Sequence, residues 1–501
     1  MTRVVMIGID GLDADLLRVY GPSLPHLRRL MLESPFLELK SSFPPETTSA
    51  WASIYTGLNP ANHGVLDWGN YAHIRSHCHA EHSEASASPK LKIPSSETFW
   101  DIAGRAGKRV CVVNPLCHPE CNCHPECNEG SQSWGEPVNG VMLSLPPIIP
   151  SPHQLKDFCD SLHTLTWQQA ERGLELYQRE PWDIFFLQLD ALDHVQHYLW
   201  RYSDPGDPTY PGRNKHSGRI LEFYRLFDAI IGRFWALIEK DSVLMVVSGH
   251  GHGRRCLQYL NLNEWLRTQN WLTARMRSMR LLDRRYMVER AKHRSLELLT
   301  QLRLQDVMPH LPQYFPDRLG YIGHAACLID QQETMAQVAE LASTSPYGGI
   351  LLNRACIERR GHVYEHVRKT LLQRLLQLRL KGRPVVNWAQ SRENVYQGKY
   401  IECYPDILFE LRNEFGVSGS IYTPLTSNNL AHQAISGDHR MHGVVLLGNL
   451  PPGIHIPEGS REPTVMDVAP TVLCLIEVAS TNRDGEALVL PQAAPATLPL
   501  S

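Results

Sequence analysis

RVVMIGIDGLD, residues 3–13, is an apolar run that ends in a carboxylate and a glycine. Val4 to Ile9 carry no polar side chain and are mostly β-branched, as expected of a strand buried on both faces of a parallel sheet. Asp10 then falls at the carboxyl end of that strand, where open α/β sheets place their chemistry. Similar runs recur at Arg109–Val113, Ile184–Leu189, Val243–Ser248 and Gly443–Leu447. Helical patterns lie between them, at Ser23–Glu33, Phe99–Ala106, Trp167–Arg179 and Ile220–Ile238. The alternation predicts an α/β fold, a doubly wound, mostly parallel sheet flanked by helices.

Composition agrees with a globular chain. Of 501 residues 43% are hydrophobic and 20% charged, which excludes a wholly disordered or collagen-like protein. The net charge of −3 supplies no basic field for nucleic acid. No apolar run approaches the ~20 residues of a membrane span. Residues 1–10 put a carboxylate where a secretory leader would need a longer apolar stretch and a small-residue cleavage site. A cytoplasmic location is expected. The 12 cysteines are ~2% of the chain, far from a disulfide scaffold, so free thiols are expected. The sequence leaves the oligomeric state open.

Two stretches read as insertions in a core formed by residues 1–253 and 318–501. Residues 73–90 are polar and rich in small side chains. Residues 117–133 begin with a tandem CHPECN repeat, either a duplicated surface loop or a Cys/His metal site of poor spacing. Residues 254–317 form an Arg-rich helical block, with nine Arg or Lys against three acidic residues between Thr273 and Arg303. It reads as a solvated helical insert, or as a cap whose basic face meets an anionic substrate or lipid surface. Residues 490–501 read as a loose tail.

Five segments carry chemistry. Asp10 ends the first strand, although an Asp in such a turn also serves as a helix cap. In PPETTSAW, residues 44–51, the prolines stop any helix before Thr47, which leaves a hydroxyl at a helix N-terminus. That position suits a nucleophile that must also hold phosphate, or a plain N-cap; Thr48 is the fallback if the register slips by one. In LDALDHVQHYLW, residues 189–200, Asp193 and His197 are one helical turn apart and suit Zn²⁺ or Mn²⁺. VVSGHGHG, residues 246–253, ends a strand with His250 and His252 between glycines. SGDHRMHG, residues 436–443, places Asp438, His439 and His442 just before another strand. Gathered on one sheet edge, these residues are the equipment for metal-assisted displacement at phosphorus.

These motifs, with KRVCVVN at 108–114 and MDVAPTVL at 466–473, resemble the alkaline phosphatase superfamily. Within it the chain is most similar to the type I phosphodiesterase / nucleotide pyrophosphatase branch and its bacterial phosphohydrolase/phosphomutase group. The resemblance is collinear over most of the chain. It implies an alkaline-phosphatase-like fold and two divalent ions, Zn or Mn. Asp193, His197 and His439 match one ion's ligands, and Asp10, Thr47 and His250 match the other's. Thr47 matches a nucleophile that forms a phospho-threonine, with a small phosphorylated molecule as substrate. Arg440, His442 and His252 lie beside matched ligands and are candidates for substrate contact.

One departure bears on activity. Where the family reads Asp-His-Gly, this chain reads Gly249-His250-Gly251, so the second ion lacks a carboxylate. Three readings follow: His252 or Asp190 substitutes, the site fills only when substrate supplies oxygens, or catalysis is impaired. Ala50-Trp51 also stands where the nucleotide pyrophosphatases carry an Asn. The expected activity is hydrolysis of phosphate mono- or diesters. The alternatives are a phosphomutase and an impaired relative that binds an anion. No Cys or Ser in a C/S-x-P-x-R motif supports a sulfatase.

Overall fold

A computed structural model describes residues 2–65, 97–116, 133–134, 150, 152–274, 329–339, 346–457 and 461–491. Seven strands form the main sheet: β1 (Arg3–Ile9), β2 (Phe36–Lys40), β3 (Val110–Val113), β4 (Ser133–Trp134), β5 (Ile184–Leu189), β6 (Ser242–Val247) and β9 (His442–Gly448). Their order across the sheet is β2-β9-β6-β1-β5-β3-β4. A two-stranded ladder, β7 (Gly251–Arg254) with β8 (Gly437–Arg440), lies outside it. β1 pairs in parallel with β5 and β6, so Met6 stands between Phe186 and Met245. β9 runs antiparallel to both its neighbours, which confines the exception to one edge of a mostly parallel sheet.

The alternation of side chains along β1 divides the core in two. Val5, Ile7 and Ile9 face a cluster built with Leu155–Arg179, Ala191–Ser203 and Arg219–Leu237. Val4 and Met6 face the opposite cluster, built with Thr47–Thr56 and Val468–Leu475. Helices on both faces explain why β5 and β6 are buried along their whole length. We call Thr47–Thr56 α1 and Ala191–Ser203 α2. Glu46 is extended just before α1, and Gly57 ends it in the left-handed region at φ 69°. α1 lies close on β1, where a Cβ at Gly8 would stand 2.7 Å from Cη2 of Trp51. That closeness requires glycine at residue 8.

The expected boundaries shift in two places. The helix read as Trp167–Arg179 begins at Leu155, because Leu155, Cys159 and Leu162 continue its buried stripe. The block read as helical from residue 254 opens instead with strand Gln258–Asn261, which pairs with Phe415–Ser418 and Thr426–Asn428, followed by a helix at Leu262–Thr268. Residues 275–317, most of the Arg-rich block, lie outside the described residues, as do 73–90, the CHPECN repeat and the tail from 492.

Residues 336–411, read as part of the main body, hold a separate four-stranded antiparallel sheet. Its order is Val386–Ser391, Ile407–Leu411, Tyr347–Leu352, Ala336–Ala339. It packs its own apolar cluster with Leu260, Leu266, Leu371 and Leu375. A small aromatic contact joins this lobe to the segment before α1. The Phe43 ring lies 4.9 Å from Trp388 and 5.7 Å from Tyr347, and the Phe43 amide donates to the Tyr396 hydroxyl at 2.6 Å. Six cysteines among the described residues are free thiols. No described helix is long and apolar enough to cross a membrane.

Candidate metal centre

The ends of the parallel strands bring the five segments together. Asp10 follows β1, Thr47 opens α1, Asp193 and His197 lie on α2 behind β5, and His250 follows β6. His252 on β7 and His439 on β8 are cross-strand partners. Two donor sets result, Asp193 with His197, His252 and His439, and Asp10 with Asp193 and His250. Within each, the donor atoms lie within 4.8 Å of one another. The His250 and His439 rings stack at 3.9 Å and join the sets.

Backbone carbonyls decide which ring nitrogens face inward. A carbonyl oxygen only accepts, so a ring nitrogen beside one carries the proton. Nδ1 of His197 donates to Gly437 O at 3.1 Å, Nδ1 of His439 to Pro45 O at 2.9 Å, and Nδ1 of His250 to Gly251 O at 3.1 Å. In the neutral rings each Nε2 therefore turns a lone pair toward the cluster. The His197 and His439 Nε2 atoms are 3.0 Å apart. Asp193 Oδ2 is 3.3 Å from the first, and Asp193 Oδ1 is 3.3 Å from the second. Lone pairs so close repel unless a proton or a cation stands among them. Three such donors, with the other ring nitrogens braced, fit a divalent ion of Zn²⁺ or Mn²⁺ type.

The second set is built differently. His250 Nε2 lies 3.3 Å from Asp10 Oδ1 and 3.1 Å from Thr47 Oγ. Thr47 Oγ donates to Asp10 Oδ2 at 3.2 Å, while the Trp51 indole N–H donates to Asp10 Oδ1 at 2.8 Å. Thr47 is half-buried at the start of α1, whereas Asp10 and His250 are buried. The neighbouring Thr48 hydroxyl is enclosed and makes no hydrogen bond.

Without an ion, protons take up the strain. Burial, then the Asp193 charge, lifts Asp10 to about 7. Burial would lower His439, but the adjoining Asp193 carboxylate overrides it and raises the ring to about 10. Burial opposes ionisation of Asp193, yet His197 and His439 hold it well below the usual carboxylate range. Burial pushes His250 well down, and His252 down to about 3.

The remaining candidates divide. His252 reaches the cluster: its Nε2 is 3.4 Å from Asp193 Oδ1, and its ring stacks on Trp200 at 5.8 Å. Neither of its nitrogens makes a hydrogen bond of normal geometry, so it lacks the carbonyl brace of the other three rings. Arg440 is not brought in. It follows His439 along a strand, where side chains alternate, and its guanidinium donates to the carbonyls of His439 and Arg254. His442 is exposed and pairs with Glu462 at 3.2 Å. Asp190 sits 3.7 Å from His194. The sequence reading missed Trp51, although its place four residues after Thr47 puts it on the same helical face. It also missed Glu46, whose carboxylate lies 3.9 Å behind His439 Nδ1.

Comparison with known families gives one match. Residues 4–443 match the family described as type I phosphodiesterase / nucleotide pyrophosphatase. The chain belongs to this family. It is a metal-dependent phosphohydrolase of the alkaline phosphatase superfamily. Its solved neighbours include phosphonoacetate hydrolase from Sinorhizobium meliloti 1021 in complex with phosphonoformate. The two share 15% identity and a TM-score of 0.54, over 96% of each chain. The same enzyme in complex with phosphonoacetate gives 14% identity and a TM-score of 0.52, again over 96% of each chain. Human ectonucleotide pyrophosphatase / phosphodiesterase 5 shares 14% identity over 97% of each chain, with a TM-score of 0.45. The phosphonoacetate hydrolase likeness extends to the fold alone. No curated protein matches the chain.

Proposed function

We propose that the chain hydrolyses a small phosphate ester through a phospho-threonine at Thr47, with two divalent ions. The observation that carries this reading is the Thr47 hydroxyl, held between Asp10 Oδ2 at 3.2 Å and His250 Nε2 at 3.1 Å, at a helix N-terminus beside a braced Asp/His cluster. Asp193, His197 and His439 would hold one ion; Asp10, Thr47 and His250 would hold the other. Bound ions would supply positive charge for the phosphate oxygens and lower the pKa of the attacking groups.

The chain's own part follows from those contacts. Thr47 Oγ attacks phosphorus, forming the Oγ–P bond as the bond to the leaving oxygen breaks. Its proton passes along the existing hydrogen bond to Asp10 Oδ2, and the leaving oxygen takes a proton from solvent. Free amide groups in the first turn of α1 face the phosphoryl oxygens. Water then adds its hydroxide to phosphorus as the Oγ–P bond breaks, Asp10 returns the proton to Thr47 Oγ, water's other proton goes to solvent, and the product is phosphate from a monoester or a monoester from a diester. A partly enclosed site on strand ends suits a small phosphorylated molecule rather than a polymer.

The test is an acid quench during turnover of an aryl phosphate diester or monoester, followed by peptide mass spectrometry. Added phosphoryl mass on Thr47 from the monoester, or that mass plus the retained ester group from the diester, is expected, and absent from Thr47→Ala. Turnover that persists in Thr47→Ala, with no modified threonine in the wild-type protein, would end this reading.

A further inference from the structure

The two donor sets are not equals. Around Asp193 the carboxylate and two braced imidazoles are resident donors, the three protein ligands of an open catalytic zinc site. Around Asp10 the set is Asp10, His250 and Asp193, and both Asp193 oxygens already face His197 and His439. The remaining group, Thr47, is the proposed nucleophile, so its oxygen would be shared between the ion and phosphorus.

Residue 249 is where a further donor would stand. A Cβ built there would point at α1, 3.0 Å from Ala50 Cβ, 3.6 Å from Ile54 Cδ1 and 3.7 Å from Trp51 Nε1. Glycine leaves that direction without a lone pair. What faces Asp10 instead is the Trp51 N–H, a donor that offers a cation nothing and occupies Asp10 Oδ1. Among the described residues no other side chain fills the gap. His252 Nε2 faces Asp193, with its ring 4.7 Å from that of His197, and Asp190 faces His194.

We infer that the two positions fill separately. The position at Asp193, His197 and His439 takes its ion in the resting protein. The position at Asp10, Thr47 and His250 takes one only together with a phosphoryl ligand, whose oxygens complete the coordination that Gly249 and Trp51 leave short. This rests on the proposed hydrolase reading and deepens it: phosphate is part of the metal site.

The experiment is equilibrium dialysis of metal-stripped protein against Zn²⁺, with bound zinc counted by elemental analysis, with and without inorganic phosphate. One ion per chain is expected without phosphate and two with it. Two ions without phosphate, or one at saturating phosphate, overturns the inference; if such a protein still turns over substrate, the hydrolase reading survives. No ion under either condition overturns both. His250→Ala should lose only the phosphate-dependent ion, and loss of both ions from a folded variant would contradict separate filling. Gly249→Asp, paired with Ala50→Gly to relieve the tight contact, should bring the second ion in without phosphate. If that folded double variant stays at one ion, the account of residue 249 is wrong.

Discussion

Nε2 of His197 stands 3.0 Å from Nε2 of His439, and each ring commits its Nδ1 proton to a backbone carbonyl. Two rings held edge to edge in this way have no stable neutral arrangement of their own. The fold maintains the repulsion by anchoring one ring from α2 and the other from β8.

Proton release follows from that pairing. With His439 raised to about 10, its ring is protonated at neutral pH in the metal-free protein. An ion must displace that proton. Calorimetry of Zn²⁺ binding near pH 7.5, in buffers of different ionisation heat, should report about one proton released, with affinity falling about tenfold for each pH unit lost. Binding without proton release would contradict the assigned geometry.

The metal-free protein should show the converse in its stability. A histidine raised in the folded state stabilises it fully below its unfolded value of 6.5, and that contribution disappears as pH rises through about 10. The urea midpoint of metal-stripped protein should therefore decline between neutral pH and pH 10. His439→Gln should show a flatter profile; equal slopes for the two proteins would count against the His439–Asp193 contact.

The brace on His439 separates a ligand from its surroundings. His439→Ala should weaken Zn²⁺ binding by more than the ~10–100-fold typical of losing an outer partner. Glu46→Gln, which alters only the carboxylate behind the ring, should stay within that range. Competition with a chromogenic chelator measures both.

Register at the start of α1 gives a clean contrast. Thr47→Ala should lower kcat by about 10³-fold or more, as for loss of a covalent nucleophile. Thr48→Ala removes a hydroxyl with no hydrogen-bond partner and should change kcat little. The reverse result in steady-state assays would move the nucleophile by one residue.

Tyr396 ties the second lobe to the segment before Thr47. Tyr396→Phe strips the Phe43 amide of its acceptor, at a cost of about 1–3 kcal/mol if the amide stays dry. Urea denaturation should show that loss, and an unchanged midpoint would mean water replaces the hydroxyl.

The sheet was legible because its strands are buried on both faces: a run such as Val4–Ile9, short, apolar and rich in β-branched residues, reads as a buried strand. Asp193 and His197 were legible because helical spacing alone puts them together. The carbonyls of Pro45, Gly251 and Gly437 were not, since backbone oxygens have no signature in a residue pattern. Arg440 and His442 lie away from the donor cluster because nearness in sequence to His439 does not survive strand alternation or the start of a new strand. The second sheet was hidden for a related reason. Its strand Val386–Ser391 reads VNWAQS, half polar with no strict alternation, and Tyr347–Leu352 carries two glycines after Tyr347.

Trp51 spans two jobs through its seating on Gly8. Its ring rests on the first strand while its N–H steadies Asp10, so the strand and the Thr47 hydroxyl form one mechanical piece. One extra carbon on residue 8 would tilt the platform under Thr47 without meeting substrate at all. A demand set by the proposed chemistry at the sheet's rim thus reaches into its middle.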